Sequence, residues 1–209
     1  MTLRGPLPRL LLIGDRFTDP QVRDRIIEAA SSGVHWIQLR DHEAEASTFL
    51  TAATSLADAL RALSPDLLIS VNTRVGVAER LGCAVHVGKR GPVPADVRSL
   101  IQPGMPVGRS VHTVGEMVRQ NVEYFLWSPV FETTSKPGRT GTGIDGLREA
   151  CSSVGSIPVI AMGGITAERI GPCVKAGAYG VAVLSGILAA DNIRDSVTRY
   201  LEAIEREGA

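Results

Sequence analysis

Short apolar runs alternate along this chain with longer stretches in which apolar residues recur every three or four positions. Eight runs stand out: Leu10–Gly14, Val34–Arg40, Leu67–Asn72, Ala84–Gly88, Val107–Val111, Tyr124–Ser128, Pro158–Met162 and Gly180–Leu184. They are rich in aliphatic and β-branched residues and show little polar alternation, which is the signature of parallel strands buried on both faces. The stretches between them read as helices. Leu50, Ala53, Leu56, Ala57, Leu60 and Leu63 make one apolar stripe, and Ile193, Val197, Leu201 and Ile204 make another. Asp19 before Pro20 has the form of an N-cap followed by proline at the first helical position. Thr113 with Glu116 three residues on has the form of a capping box, so a helix is expected after the fifth run as after the others.

Strand–helix units of this kind build either an open doubly wound sheet or a closed barrel. An open sheet usually carries its glycine-rich phosphate loop after the first strand. Here the first strand runs into Gly14-Asp15-Arg16-Phe17, while glycine-rich turns follow strands seven and eight, at Gly163-Gly164 and Ser185-Gly186. That placement predicts an α/β fold of the TIM (β/α)₈ barrel type. With 209 residues, 44% of them hydrophobic, and no low-complexity break, residues 1–209 are expected to form one domain.

Charge narrows the partners. Lys plus Arg and Asp plus Glu both number 22, which gives no general attraction to nucleic acid or to acidic membranes, and points to a small-molecule ligand. Cys83, Cys151 and Cys173 are far apart and lack metal-ligand spacing, as expected of free thiols in a reducing compartment. The run Leu10–Gly14 is too short to span a bilayer, and no signal-peptide pattern precedes it, so the expected location is the cytoplasm. Whether the protein forms a homo-oligomer stays open.

In a barrel of this type the strand C-terminal ends and the loops beyond them build the site. Gly163, Gly164, Ser185 and Gly186 offer exposed backbone N–H groups that can surround a phosphate, or serve only tight turns. Gln38 and Arg40 fall on one face of strand two. Arg40 suits a phosphate or carboxylate in the barrel mouth, or an internal salt bridge. Asn72 at the end of strand three either meets a ligand or caps the next helix. His86 and His112 are candidates for proton transfer or structural imidazoles, whereas His35 and His42 are assigned no role. The long hydroxyl-rich segment Pro129–Gly143, with Lys136 and Arg139, reads as a lid over anionic oxygens or as an ordinary surface loop. No set of His, Cys, Asp and Glu has the spacing of a metal cage.

Six motifs taken together resemble thiamine phosphate synthase and its relative TenI. They are Gln-Leu-Arg at 38–40, Val-His-Val-Gly at 85–88, Ser-Val-His at 110–112, Pro-Val-Phe-Glu-Thr-Thr-Ser-Lys at 129–136, Ile-Pro-Val-Ile-Ala-Met-Gly-Gly-Ile at 157–165 and Val-Ala-Val-Leu-Ser-Gly-Ile at 181–187. The synthase joins a hydroxymethylpyrimidine diphosphate to a thiazole phosphate and releases pyrophosphate. The resemblance implies that Gln38 and Arg40 meet the diphosphate, that Thr133, Ser135 and Lys136 meet phosphate or diphosphate oxygens, and that Gly163, Gly164, Val183 and Ser185 form the thiazole-phosphate pocket. Ser110 and Gly186 complete the expected binding set.

The chain also departs from the synthase pattern. Two carboxylates that hold magnesium there are absent: Asn72-Thr73-Arg74 replaces Asn-Asp-Arg, and Gly88-Lys89-Arg90-Gly91 carries no acidic residue. A lysine expected after the strand-two arginine is His42. TenI lacks those acidic ligands and converts one thiazole phosphate tautomer into the aromatic one, but the histidine that it carries before Val-Phe-Glu-Thr is Pro129 here. Loss of both magnesium ligands favours a TenI-like thiazole tautomerase, with His112, His86 or Glu132 as the proton-transfer group and no cofactor. The alternatives are a thiamine phosphate synthase, with magnesium required or with Lys89 and Arg90 standing in as fixed cations, and a non-catalytic phosphate-ligand binder or regulator.

Overall fold

The computed structural model describes residues 5–88, 91–133 and 140–207. All eight apolar runs are strands: β1 Leu10–Asp15, β2 Trp36–Arg40, β3 Leu68–Asn72, β4 Ala84–Val87, β5 Val107–Val111, β6 Tyr124–Trp127, β7 Val159–Met162 and β8 Gly180–Val183. Each is parallel to its neighbours, and β8 pairs with β1 through Leu10–Val181, Leu11–Ala182 and Leu12–Val183, so the sheet closes into the expected barrel. Around it lie α1 Pro20–Ser31, α2 Ala46–Leu63, α3 Val75–Leu81, α4 Pro94–Leu100, α5 Gly143–Ser153, α6 Ala167–Lys175, the short α7 Ser185–Leu188 and α8 Ile193–Arg206.

The local signals were realised unevenly. Asp19 caps α1 by accepting a 2.8 Å hydrogen bond from the Gln21 N–H. In α2 the buried face is Phe49, Ala53, Leu56, Ala57 and Leu60, while Leu63, the last residue of the helix, is 49% exposed. After β5 the expected α-helix is absent, and the described residues form a single 3₁₀ turn, Val114–Glu116. The predicted capping box does not form: the Thr113 side chain makes no cap bond, and the Glu116 carboxylate accepts from the N–H of His112, one residue before the cap position, at 2.9 Å. Only Met117 and Val122 are buried in this connection and Val118 is exposed, so no apolar stripe is available to hold a longer helix against the sheet.

Two apolar cores result. The outer one lies between strands and helices; the inner one fills the barrel with Leu11, Ile13, Trp36, Leu68, Ala84, Tyr124, Leu126, Ile160 and Ala182. Trp36 and Tyr124 meet edge to face in it, 4.7 Å between ring centroids. Towards the C-terminal ends of the strands the inward side chains become polar: Asp15, Arg40, Asn72, His86 and Ser110. The barrel is therefore mainly apolar towards the N-terminal ends of its strands and polar at its mouth. No helix among the described residues is long and apolar enough to cross a membrane.

Closure depends on a close backbone contact. A Cβ at Gly180 would stand 2.2 Å from the Arg9 carbonyl oxygen, which accepts the Val181 N–H at 2.8 Å. Backbone cannot move aside as a flexible side chain can, so Gly180→Ala should cost about 3 kcal/mol, at the upper end of overpacking effects. Urea unfolding checks this, and a loss below about 0.5 kcal/mol would show that the seam between β8 and the residue before β1 is slack.

Candidate functional site

The strand ends and loops of β6, β7 and β8 enclose a cleft of about 320 Å³. One wall is the turn after β7, where Gly163 and Gly164 hold φ of +102° and +61°. L-residues rarely adopt such angles, and a Cβ at Gly164 would also stand 2.5 Å from the Glu132 carbonyl oxygen. The Phe131 N–H donates to the Gly163 carbonyl at 3.0 Å, which ties the loop after β6 to this turn. The other wall is the turn after β8, Leu184-Ser185-Gly186. No described acceptor takes the Gly164 N–H, and the Ser185 and Gly186 amides open α7, where a helix supplies no internal partner. These donors can meet an anion.

Both turns are held from behind by α8. The Tyr200 hydroxyl donates to the Ile165 carbonyl at 2.9 Å, and the Ser196 hydroxyl donates to the Gly186 carbonyl at 2.7 Å. Their carbonyls are thus committed to the scaffold, and the turns are fixed before any ligand arrives.

Of the residues singled out from the sequence, Arg40, Glu132, Thr133, Gly163, Gly164, Val183, Ser185 and Gly186 line this one cleft. Arg40 makes an internal salt bridge, its Nε donating to the Asp15 carboxylate at 2.8 Å, and the residue also borders the cleft. Asp15 was overlooked, although alternation from Leu11 and Ile13 directs it inward. Ser135 and Lys136, like Lys89 and Arg90, lie outside the described residues.

The remaining candidates sit elsewhere. Gln38 is buried within the barrel, with its Oε1 lacking a partner among the described residues. Asn72 is not the cap of α3, whose N-cap position is Arg74; its Oδ1 accepts from the Thr73 hydroxyl at 3.2 Å. His86 is buried, its Nδ1 3.1 Å from the Tyr124 hydroxyl and its Nε2 2.7 Å from the Ser110 hydroxyl. Burial, reinforced by the Arg40 charge, pushes its pKa down to about 3, so the imidazole is neutral at physiological pH. The His112 ring is turned onto the Ser128 carbonyl through Nδ1. Neither histidine lines the cleft. Glu132 is the one carboxylate among the described residues that does.

Magnesium, which the resemblance attaches to the synthase, does not fit the described residues. They contain no group of three or more His, Cys, Asp or Glu placed to hold a metal ion. Asp15 is engaged by Arg40; Asp41 accepts from the Thr18 hydroxyl at 2.6 Å and from the Glu43 and Ala44 N–H groups. Thr73 supplies no anionic oxygen for a hard cation.

Fold and cleft together define a parallel barrel with backbone N–H groups and an arginine side chain at one mouth. The family model described as thiamine monophosphate synthase matches residues 10–187, and this chain belongs to that family. It is 36% identical over 183 residues to thiamine-phosphate synthase of Methanoculleus marisnigri, covering 81% of this chain and 84% of that one. It is 32% identical over 203 residues to thiamine-phosphate synthase of Azorhizobium caulinodans, covering 94% of each. Among solved structures, thiamine phosphate pyrophosphorylase from Pyrococcus furiosus superposes with a TM-score of 0.82 at 26% identity, covering 96% of this chain and 97% of that one.

Two outcomes test this site. Gly164→Val, if folded, should weaken binding of a phosphorylated ligand at least tenfold, a loss of about 1.4 kcal/mol, when followed by calorimetric titration; unchanged affinity would remove the turn from the site. His86 supplies the second. The unfolded chain takes up a proton at this residue as pH falls through about 6.5, whereas the native state does so only near 3. Stability contributed by the neutral imidazole is therefore present above that window and falls on acidification through it, by up to about 1.4 kcal/mol per pH unit. Urea midpoints measured from pH 7 to pH 4 should drop more steeply for the wild type than for His86→Asn, and parallel curves would contradict the buried neutral imidazole.

Proposed function

We propose that this protein binds a thiazole phosphate with its phosphate on the turns after β7 and β8, and joins it to a hydroxymethylpyrimidine diphosphate as a thiamine-phosphate synthase. The observation that carries this reading is the presence of two anion-binding elements at one mouth: the backbone donors at Gly164, Ser185 and Gly186, and Arg40 on the same cleft. A ligand carrying one phosphate needs only the first. A reaction between a monophosphate and a diphosphate uses both. Similarity to relatives named as the synthase, over most of both chains, supports the same reading. The tautomerase reading favoured by the sequence gains no specific support from those relatives.

In this mechanism the chain acts by positioning and by electrostatics. Val183, Ala182 and Met162 give the cleft an apolar floor for a flat ring, while the two turns fix the phosphate and hence the ring's direction. Arg40, held by Asp15 through Nε, keeps its terminal nitrogens for the second substrate. As pyrophosphate leaves, negative charge builds on its oxygens, and a guanidinium already in place stabilises it without reorganising. Thr133 also lines the cleft.

One observation favours a second reading. The described residues offer no acidic set for a metal on the diphosphate, while Glu132 offers a carboxylate in the cleft where a proton on a thiazole ring can be exchanged. A tautomerase needs only that base and the phosphate site. Incubation with thiazole phosphate, with and without hydroxymethylpyrimidine diphosphate and magnesium, separates the readings by product. Thiamine phosphate and pyrophosphate, formed only in the mixture, are expected. Conversion of the thiazole phosphate alone, lost by about 100-fold in Glu132→Gln, would replace the synthase with the tautomerase. Binding without turnover would leave a non-catalytic binder.

A further inference from the structure

Arg169 was not singled out in the sequence, and the structure gives it an unusual position. It is the third residue of α6, after Thr166 at the N-cap, where the helix dipole and the free N–H groups disfavour a cation by about 0.3–1 kcal/mol. Its guanidinium nevertheless lines the thiazole-phosphate cleft. Nη1 donates to the Gly164 carbonyl at 2.6 Å, and the guanidinium carbon lies 4.5 Å from the centre of the Phe131 ring. No carboxylate among the described residues lies within ion-pairing distance of it: the bridges found join Arg16, Arg40, Arg98, Arg148 and Lys175 to their partners. Arg169 is a cation at the wrong end of a helix, without a salt bridge among the described residues, and positioned by a carbonyl and an aromatic face. Both contacts belong to elements of the cleft.

We propose that Arg169 is the residue by which the cleft selects a phosphorylated ligand over its unphosphorylated counterpart. A guanidinium presents five N–H donors in a planar fork, and one bond to Gly164 leaves the others for phosphate oxygens. A dianion seated at the Gly164 and Ser185 turns reverses the unfavourable dipole contact, because the arginine and the amides of α6 then face a common negative charge. The stacking on Phe131 gives the interaction a second effect. Phe131 lies on the loop after β6, so an arginine fixed by phosphate holds that loop against the turn after β7. This assignment rests on the cleft being the phosphate site, but not on the ligand being a thiazole.

Calorimetric titration of the wild type, Arg169→Ala, Arg169→Lys and Arg169→Gln with inorganic phosphate, thiazole phosphate and the corresponding thiazole alcohol tests it. Thermal midpoints establish that each variant is folded, and Arg169 is exposed enough for all three substitutions to be accommodated. Arg169→Ala and Arg169→Gln should lose at least tenfold in affinity for inorganic phosphate and for thiazole phosphate, and less than twofold for the alcohol. Arg169→Lys should recover part of the loss. Phosphate affinity retained within twofold in Arg169→Ala, an equal loss for phosphate and alcohol, or a wild type that does not bind inorganic phosphate would each overturn the assignment. Arginine-dependent binding of inorganic phosphate with no binding of either thiazole would uphold it and reject the thiazole reading instead.

Discussion

Closure of the sheet is the constraint on which the site depends. Pairing of β1 with β8 requires the backbone of Gly180 to pass against Arg9, and that contact turns the ends of β1 and β2 towards the turns after β7 and β8. Arg40 and Gly164, more than a hundred residues apart in sequence, then border the same cleft. An open sheet of the same strands would leave β1 and β8 unpaired with each other. The inner apolar packing follows from closure too, since Trp36 and Tyr124 can stack edge to face only across a barrel interior. What remains above that packing is a short polar layer, and the cleft opens beside it.

Rigidity is added from outside the barrel. The segment that matches the family ends at residue 187, yet the hydroxyls that fix both turns, Ser196 and Tyr200, lie beyond it on α8. They act through carbonyl groups and leave the N–H groups of the same turns to a ligand. Such division of the peptide's two polar ends lets one turn be both anchored and receptive. It also limits substitution: a Cβ at Gly186 would stand 2.1 Å from the Tyr200 hydroxyl.

Much of the fold was legible because parallel strands buried on both faces leave continuous apolar runs, and each of the eight appeared. The connection after β5 was misread because capping residues mark where a helix can begin, whereas burial of a stripe decides whether it persists; Val118 faces solvent. In the site, the glycine turns were legible from composition at a known end of the barrel. Arg40 was legible from alternation, but its partner Asp15 is 25 positions away and emerges only when β1 and β2 are in register. For His86 and His112 the choice between proton carrier and structural imidazole stayed open, because a sequence shows the imidazole but hides its neighbours. Tyr124, Ser110 and the Ser128 carbonyl occupy both rings. Arg169 left no signal, since nothing along the chain reveals that its helix begins at the cleft.

Everything proposed for the cleft depends on the turns after β7 and β8 forming a phosphate site. A crystal structure of the protein grown with thiazole phosphate tests it most directly. Phosphate oxygens should lie about 2.7–3.2 Å from N–H groups of Gly164, Ser185 or Gly186. Ligand density elsewhere on the protein, with the cleft filled only by solvent, would contradict it.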